Sequence, residues 1–323
     1  MVDKVGKFRC ERLIMPSADS LDRIKLQHPT RRQIARSARH MAKRLLRFPK
    51  YLRQTMPLRF PKLVECSVCG WQGRQFADNL WHEACQCPKC QADVRHRLLM
   101  AAFDQLPAIA FDKVIRGKSV LHFAPEWQIE KRLRKQAGRY FSADLYNPRR
   151  DLQIDISRMD SIPDAEFDAV IACDVREHVD DDRRAIREIA RILRPGGFGI
   201  LTVPQQDNLA VTFEDPSIVD ADERQRLFGQ WDHVRIYGDD FVGRLEAEDL
   251  DVTAIGAQDF AEDLVRTHAL APPILSPNPL ATNFRKVFFA QKPREESLRS
   301  DTISGSFRPM LGRPTHSVQT MQR

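Results

Sequence analysis

Short apolar runs of strand length alternate with segments of helical period from Lys118 onward: 119–123, 140–143, 152–156, 167–173 and 198–203. Between them Ile129, Leu133 and Ala137 recur at four-residue steps before Gly138, which predicts one helix. A second is predicted where Ile186, Ile189, Ala190 and Leu193 share a face, opening on the acidic run 180–182 and closing at Pro195-Gly196-Gly197. Strands alternating with helices of this length predict an α/β, doubly wound fold with a parallel sheet covered on both faces. The interval 204–238 breaks the rhythm with a polar, aromatic-bearing insertion. A helix over about 239–248, a strand near 251–255 and a last strand over 286–291 resume it.

Upstream the pattern changes. Ile34, Ala38, Met41 and Leu45 recur at helical spacing among arginines and lysines, predicting a basic amphipathic helix over about 31–46; Leu98 to Leu106 predicts a linking helix. Four segments follow: a basic arm over 1–62, partly disordered, a cysteine module over 63–97, the α/β domain over 98–291 and a patternless, disordered tail over 292–323. The charge is as segmented as the pattern. The whole chain carries a net +7, but residues 1–62 hold 17 Lys/Arg against 4 Asp/Glu, whereas residues 63–291 hold 28 against 37. Any attraction to an anionic membrane surface or to RNA therefore starts from the arm, chiefly residues 31–60, and the acidic body points away from RNA. No apolar run approaches the ~18 residues of a spanning helix, and no signal-peptide pattern opens the chain; a cytoplasmic protein is expected, peripheral at the membrane if the arm lies on lipid.

Five of the seven cysteines fall between Cys66 and Cys90. Cys66-x-x-Cys69 and Cys87-x-x-Cys90, 17 residues apart, have the spacing of a four-thiolate zinc site, with Gly70 just after the first pair. Four thiolates close the coordination shell, so the zinc is expected to be structural. Cys85 is a rival to Cys87, and His82 and His96 are further candidate ligands.

In an open α/β sheet, ligands bind at the carboxyl ends of the strands where the strand order reverses. The exits here read Ala124-Pro125-Glu126, Asp144-Leu145, Asp155-Ile156 and Cys173-Asp174. The block Phe167-Asp168-Ala169-Val170-Ile171-Ala172-Cys173, followed by Glu177-His178-Val179 and Leu193-Arg194-Pro195-Gly196-Gly197, resembles the class I S-adenosylmethionine-dependent methyltransferases of the type 11 group. The resemblance spans about 118–291 and extends to bacterial proteins that place a cysteine-pair ribbon before such a domain. It implies a Rossmann-like methyltransferase sheet and S-adenosyl-L-methionine as cofactor. It also implies Asp144, with Leu145 beside it, at the ribose, Asp155 and Ile156 at the adenine, Ala124 to Glu126 near the methionine part, and Cys173 on the floor. The first exit departs from the family's glycine-rich loop.

The sulfonium methyl is already activated, so the protein has to hold an acceptor in line and exclude water. For a hydroxyl acceptor, His233 is the expected base, with Asp232, Arg235 and Tyr237 facing substrate; His178 is the rival base, and Glu214 and Asp215 are further candidates for a polar acceptor or a turn. The acceptor expected is a polar small molecule or glycan. The alternatives are an RNA methyltransferase using the ribbon and arm, and a catalytically degenerate fold acting as a binding protein.

Overall fold

The computed structural model describes residues 63–294. The basic helix expected over 31–46 and all of the arm 1–62 lie outside them, as does the tail from 295. The strands are β1 (Val64–Glu65), β2 (Gln72–Gly73), β3 (Ser119–Phe123), β4 (Arg139–Asp144), β5 (Leu152–Gln153), β6 (Phe167–Cys173), β7 (Leu193–Thr202), β8 (Phe213–Glu214), β9 (Arg235–Ile236), β10 (Asp251–Ile255) and β11 (Val287–Gln291). The helices are α1 (Val94–Gln105), α2 (Phe111–Val114), α3 (Trp127–Gln136), α4 (Asp182–Ile192), α5 (Ala221–Phe228), α6 (Phe241–Glu246) and α7 (Glu262–His268).

Seven strands form one sheet in the order β10-β11-β7-β6-β3-β4-β5. Alternation of apolar side chains along each strand feeds both faces. Val120, Ala169, Ile171, Ile200 and Phe289 pack beneath α1, α3 and α7, while Leu121, Val170, Ala172, Leu201 and Phe288 pack beneath α4 and α6. Helix α3 follows β3 on one face and α4 follows β6 on the other. Because β3 and β6 are adjacent, parallel neighbours, the winding reverses between them.

Three expectations change. The sheet is mixed, because β11 runs antiparallel to both β7 and β10. It enters from the carboxyl ends of its neighbours, and Arg285, two residues before it, therefore reaches the exit of β6. The third strand is only Leu152–Gln153, since the Asp155 side chain turns the chain there by accepting from the Ser157 N–H and Oγ–H at 2.7 and 2.8 Å. The Pro-Gly-Gly block does not stop the helix, which already ends at Ile192; it forms a bulge inside β7. Gly196 sits at φ +82° and a Cβ on Gly197 would stand 2.8 Å from the Asp168 carbonyl oxygen, so both positions require glycine. Lys292, expected to begin the tail, instead exchanges backbone hydrogen bonds with Gly196 and Gly197.

Helix α4 opens as the acidic run suggested, with the Asp181 carboxylate accepting from the Arg184 N–H at 2.8 Å. Helix α1 crosses residues 97 and 98: it starts in the cysteine module and ends against the sheet, where Leu98 to Phe103 are buried. The insertion carries order of its own, a two-stranded pairing of β8 with β9 and helix α5, whose N-cap Asp220 accepts from two backbone N–H groups.

Candidate active site

Hairpin β1–β2 and a second turn bring Cys66, Cys69, Cys87 and Cys90 together. Gly70 at φ +68° and Gln91 at φ +55° complete matching turns, their N–H groups donating to the carbonyls of Cys66 and Cys87 at 2.8 Å. Two sulfur pairs, Cys66 with Cys90 and Cys69 with Cys87, stand 3.7 Å apart. Four thiolates each ~2.3 Å from a tetrahedral metal stand about 3.8 Å from one another, whereas a disulfide would need about 2.05 Å. The geometry fits a four-thiolate metal site. Cys85 lies outside the cluster, its thiol pushed up to about 12 by burial, and so remains neutral. His82 is held by Asn283 and His96 by the Asp93 N–H; neither joins the group.

Arg97 fastens this ribbon to the sheet domain. It is fully buried, and its guanidinium donates to the carbonyls of Ala92, Cys85, His268 and Ala269 at 2.6–3.0 Å while lying 4.2 Å over the Phe76 ring. His268 pairs in turn with the Glu65 carbonyl at 2.8 Å. With its first turn fixed in this way, α1 delivers Arg95 and His96 to the reversal point of the sheet.

There the exits of β3 and β6 both turn through left-handed backbone, Ala124 at φ 41° and Asp174 at φ 49°. Ala124 takes the conformation that glycine would favour, so the departure from a glycine-rich loop keeps a left-handed turn at the cost of strain. Ala124→Gly should leave stability unchanged or raise it by up to roughly 1 kcal/mol, and Ala124→Val should lower it by about 1–2 kcal/mol, as read by urea denaturation.

Glu126, two residues on, ion-pairs with Arg95 and has His96 Nε2 at 2.9 Å; Arg95 also stands 3.3 Å from Asp174, which Arg285 clamps at 2.8 and 3.0 Å. Burial alone would raise both carboxyls. Their neighbours win: Arg95, with His96 through Nε2–H, brings Glu126 down to about 2, and Arg285 with Arg95 holds Asp174 well below the carboxylate range. Glu126 Oε2 nevertheless has no partner among the described residues. Arg95, Asp174 and Arg285 were not expected in the site. Only Asp174 carried a signal, as a strand-exit residue; the two arginines come from 79 residues before it and 111 after it in the chain.

Asp144 ends β4 with Oδ1 accepting from the N–H groups of Tyr146 and Asn147 at 2.8 and 2.9 Å, while its other oxygen makes no hydrogen bond among the described residues. Leu145 beside it is 43% exposed. Asp155 is half-buried in the turn described above, and Ile156 and Cys173 are buried side chains of the two opposite core faces. Burial pushes the Cys173 thiol well above its ordinary range, so it is a neutral apolar group.

Past Asp174 a short turn, Arg176–His178, lies under the insertion. The Val234 N–H donates to the Glu177 carbonyl at 2.8 Å, and Arg235 donates to the carbonyls of Arg176, Val179 and Asp180. This pins the His178 and His233 rings edge to face, 4.7 Å apart. His178 Nδ1 stands 3.3 Å from Asp232, and His233 Nδ1 3.0 Å from the Phe228 carbonyl. The Phe228 carbonyl fixes a proton on His233 Nδ1 and its lone pair on Nε2, and the Asp232 carboxylate favours the same tautomer when His178 is neutral. Burial would lower both imidazoles: Asp232 overrides it for His178, which is raised, while His233, beside the His178 charge, falls to about 4. Burial raises Glu177 to about 7, with Asp174 adding to the effect.

Two residues expected to face substrate do not. Arg235 is 3% exposed and spends its donors on three carbonyls and Glu214; Tyr237 is 0% exposed in the core, its hydroxyl on Asp182. Glu214 is taken up by Arg235 and Arg244 at 2.8 Å each, and Asp215 caps the turn at Ser217. These residues hold the insertion in place, because a charged group this deep is stable only when its partners are built in. Asp232 and His178, each with a third of the side chain exposed, remain open to the surface.

Residues 129–201, which span α3 through β7, match the family model described as a methyltransferase domain. The chain carries a methyltransferase domain there. No curated protein matches the sequence. Among solved structures, the chain is similar to the Burkholderia thailandensis 1,6-didemethyltoxoflavin-N1-methyltransferase with bound 1,6-didemethyltoxoflavin and S-adenosylhomocysteine, at 17% identity over 60% of this chain and 79% of that one, with TM-score 0.39. A methyltransferase from Archaeoglobus fulgidus is 14% identical over 63% of this chain and 96% of its own, with TM-score 0.39. The [4+2]-cyclase SpnF is 17% identical over 68% and 87%, with TM-score 0.41. These likenesses are remote. Among the described residues, the methyltransferase has no helix long and apolar enough to cross a membrane.

Proposed function

We propose that the protein transfers the methyl group of S-adenosyl-L-methionine to a hydroxyl or other polar group of a small molecule or glycan in the cytoplasm, at the cleft where the sheet reverses. The observation that carries this reading is the convergence of distinct acidic and basic groups on adjacent strand exits. Asp144 offers an uncommitted carboxylate oxygen to the ribose, with exposed Leu145 beside it for the adenine, and Asp155 and Ile156 close the adenine end. Glu126, with one oxygen unpartnered, meets the cofactor's ammonium, and Arg95 its carboxylate; this pair suits the zwitterionic end of an amino acid.

Bound cofactor supplies the activated methyl. The acceptor oxygen attacks that carbon as the C–S bond breaks, the bonding pair leaves with sulfur, and the acceptor loses one proton. His178, oriented by Asp232 and open to the surface, is better placed as base than His233, whose ring is buried and bonded to a carbonyl. Cys66, Cys69, Cys87 and Cys90 would hold one zinc ion, which supplies no chemistry at the cleft and fixes the turn from which α1 starts.

The test is calorimetry with S-adenosylhomocysteine. Wild type should bind, and Asp144→Ala should bind at least tenfold more weakly with an unchanged melting temperature in the absence of ligand. Absence of binding by wild type would favour a degenerate fold that acts only as a binding protein.

A further inference from the structure

Glu177, His178 and His233 each direct one ligand atom into a common space, all three within 4.8 Å of one another. We propose that these residues form a second metal site, distinct from the four cysteines, which takes a divalent transition cation and presents it to the methyl acceptor.

Three independent features support it. First, Glu177 is 1% exposed and its Oε2 has no hydrogen-bond partner among the described residues. A buried carboxylate oxygen without a donor is costly, and a cation in the common space removes that cost. Second, both imidazoles have an oxygen beside Nδ1, the Asp232 carboxylate at 3.3 Å for His178 and the hydrogen-bonded Phe228 carbonyl at 3.0 Å for His233. That is the arrangement that fixes a metal-ligating histidine, since it sets the tautomer and leaves Nε2 to bind. Third, the ligands come from two segments already fastened together by the Val234 N–H on Glu177 O and by the Arg235 bonds across residues 176–180, so the cation would find its site assembled.

Two nitrogens and one carboxylate suit manganese, iron, cobalt or zinc better than magnesium or calcium, which prefer all-oxygen shells. They also fill only part of any coordination sphere. One open position in a tetrahedral site, or three in an octahedral one, face whatever occupies the surface opened by His178 and Asp232. An acceptor with a hydroxyl, or with two oxygens on adjacent carbons, can take those positions. Binding lowers the hydroxyl pKa. The O–H proton goes to solvent, the metal-bound oxygen keeps the electron pair and bonds to the methyl carbon, and the C–S pair returns to sulfur. With a cation bound, the His178 Nε2 lone pair is a ligand and the imidazole no longer takes the acceptor's proton. The inference rests on the proposed function for the methyl donor and the hydroxyl acceptor, and with the cation bound it replaces His178 as the group that activates that hydroxyl.

The experiment uses the full-length protein with its cysteine site loaded with zinc and Mn²⁺ as the probe, followed by electron paramagnetic resonance. One Mn²⁺ per chain is expected, with affinity reduced at least tenfold in His178→Ala and in His233→Ala, while zinc content, circular dichroism and S-adenosylhomocysteine binding stay as in wild type. Asp232→Asn, which keeps the ligand set, should weaken Mn²⁺ by less than removal of a ligand. No Mn²⁺ uptake by wild type, or equal uptake by wild type and the His178→Ala/His233→Ala double variant, overturns the site. Since S-adenosylhomocysteine binding is read separately, loss of the metal and loss of the methyl donor are distinct results.

Discussion

Replacing Arg97 with methionine is expected to lower the melting temperature by about 10 °C. The methionine stem keeps most of the volume beside Phe76, but the carbonyls of Ala92, Cys85, His268 and Ala269 lose their shared donor inside the protein. Orphaned buried acceptors cost about 1–3 kcal/mol each, and loss of one member of a buried charged network costs on the order of 3–5 kcal/mol. For a domain of this size each kcal/mol shifts the melting point by about 2–4 °C. The electrostatics add to the effect, because a four-thiolate zinc site carries about two net negative charges and Arg97 is the buried cation beside it. Differential scanning calorimetry measures the shift, and limited proteolysis should cut the released ribbon first. Arg97→Lys should rescue little, since an ammonium has three donors and cannot span four carbonyls on two segments.

Replacing Cys66 or Cys90 with serine is expected to have the larger effect. Binding of a structural zinc contributes on the order of 10 kcal/mol to the fold of a ribbon this small, whose own apolar core is Phe76, Ala92 and a few partners. Such variants should purify without zinc and lose the ordered start of α1. The consequence then reaches the cleft. Arg95 and His96 occupy the first turn of that helix and hold Glu126 in place, so S-adenosylhomocysteine affinity should fall at least tenfold although no cysteine touches the ligand. Zinc content by atomic absorption and calorimetry on the same sample check both halves, and a zinc-free variant with wild-type affinity would separate the ribbon from the cleft.

The parts of the fold that were legible in the sequence are those that obey local rules. The cysteine spacing, the apolar runs of β3 and β6 and the acidic start of α4 each depend on neighbours within one turn or one strand. What escaped depends on distant partners. Arg95 and Arg285 belong to no local pattern, and only the packing of α1 and the reversed entry of β11 bring them to Asp174. Pro195-Gly196-Gly197 is a strong helix stop by composition, yet Gly197 is required by its approach to Asp168 in the neighbouring strand. Helices α5 and α7 are short and weakly patterned, so their hydrophobic period gave too little signal. In the insertion, position after the fifth predicted strand placed Arg235 and Tyr237 at a substrate. Their burial shows that a polar residue in an active-site insertion can serve to hold the insertion down, while the adjacent Asp232 and His178 stay open.

The most direct measurement is a crystal structure of the protein with S-adenosylhomocysteine. The account predicts the adenosyl group across the exits of β3, β4 and β5, its ribose hydroxyls on Asp144 and its amino-acid end between Glu126 and Arg95. Ligand bound elsewhere, or an undisturbed Arg95–Glu126–Asp174 cluster with no ligand at saturating concentration, would contradict it.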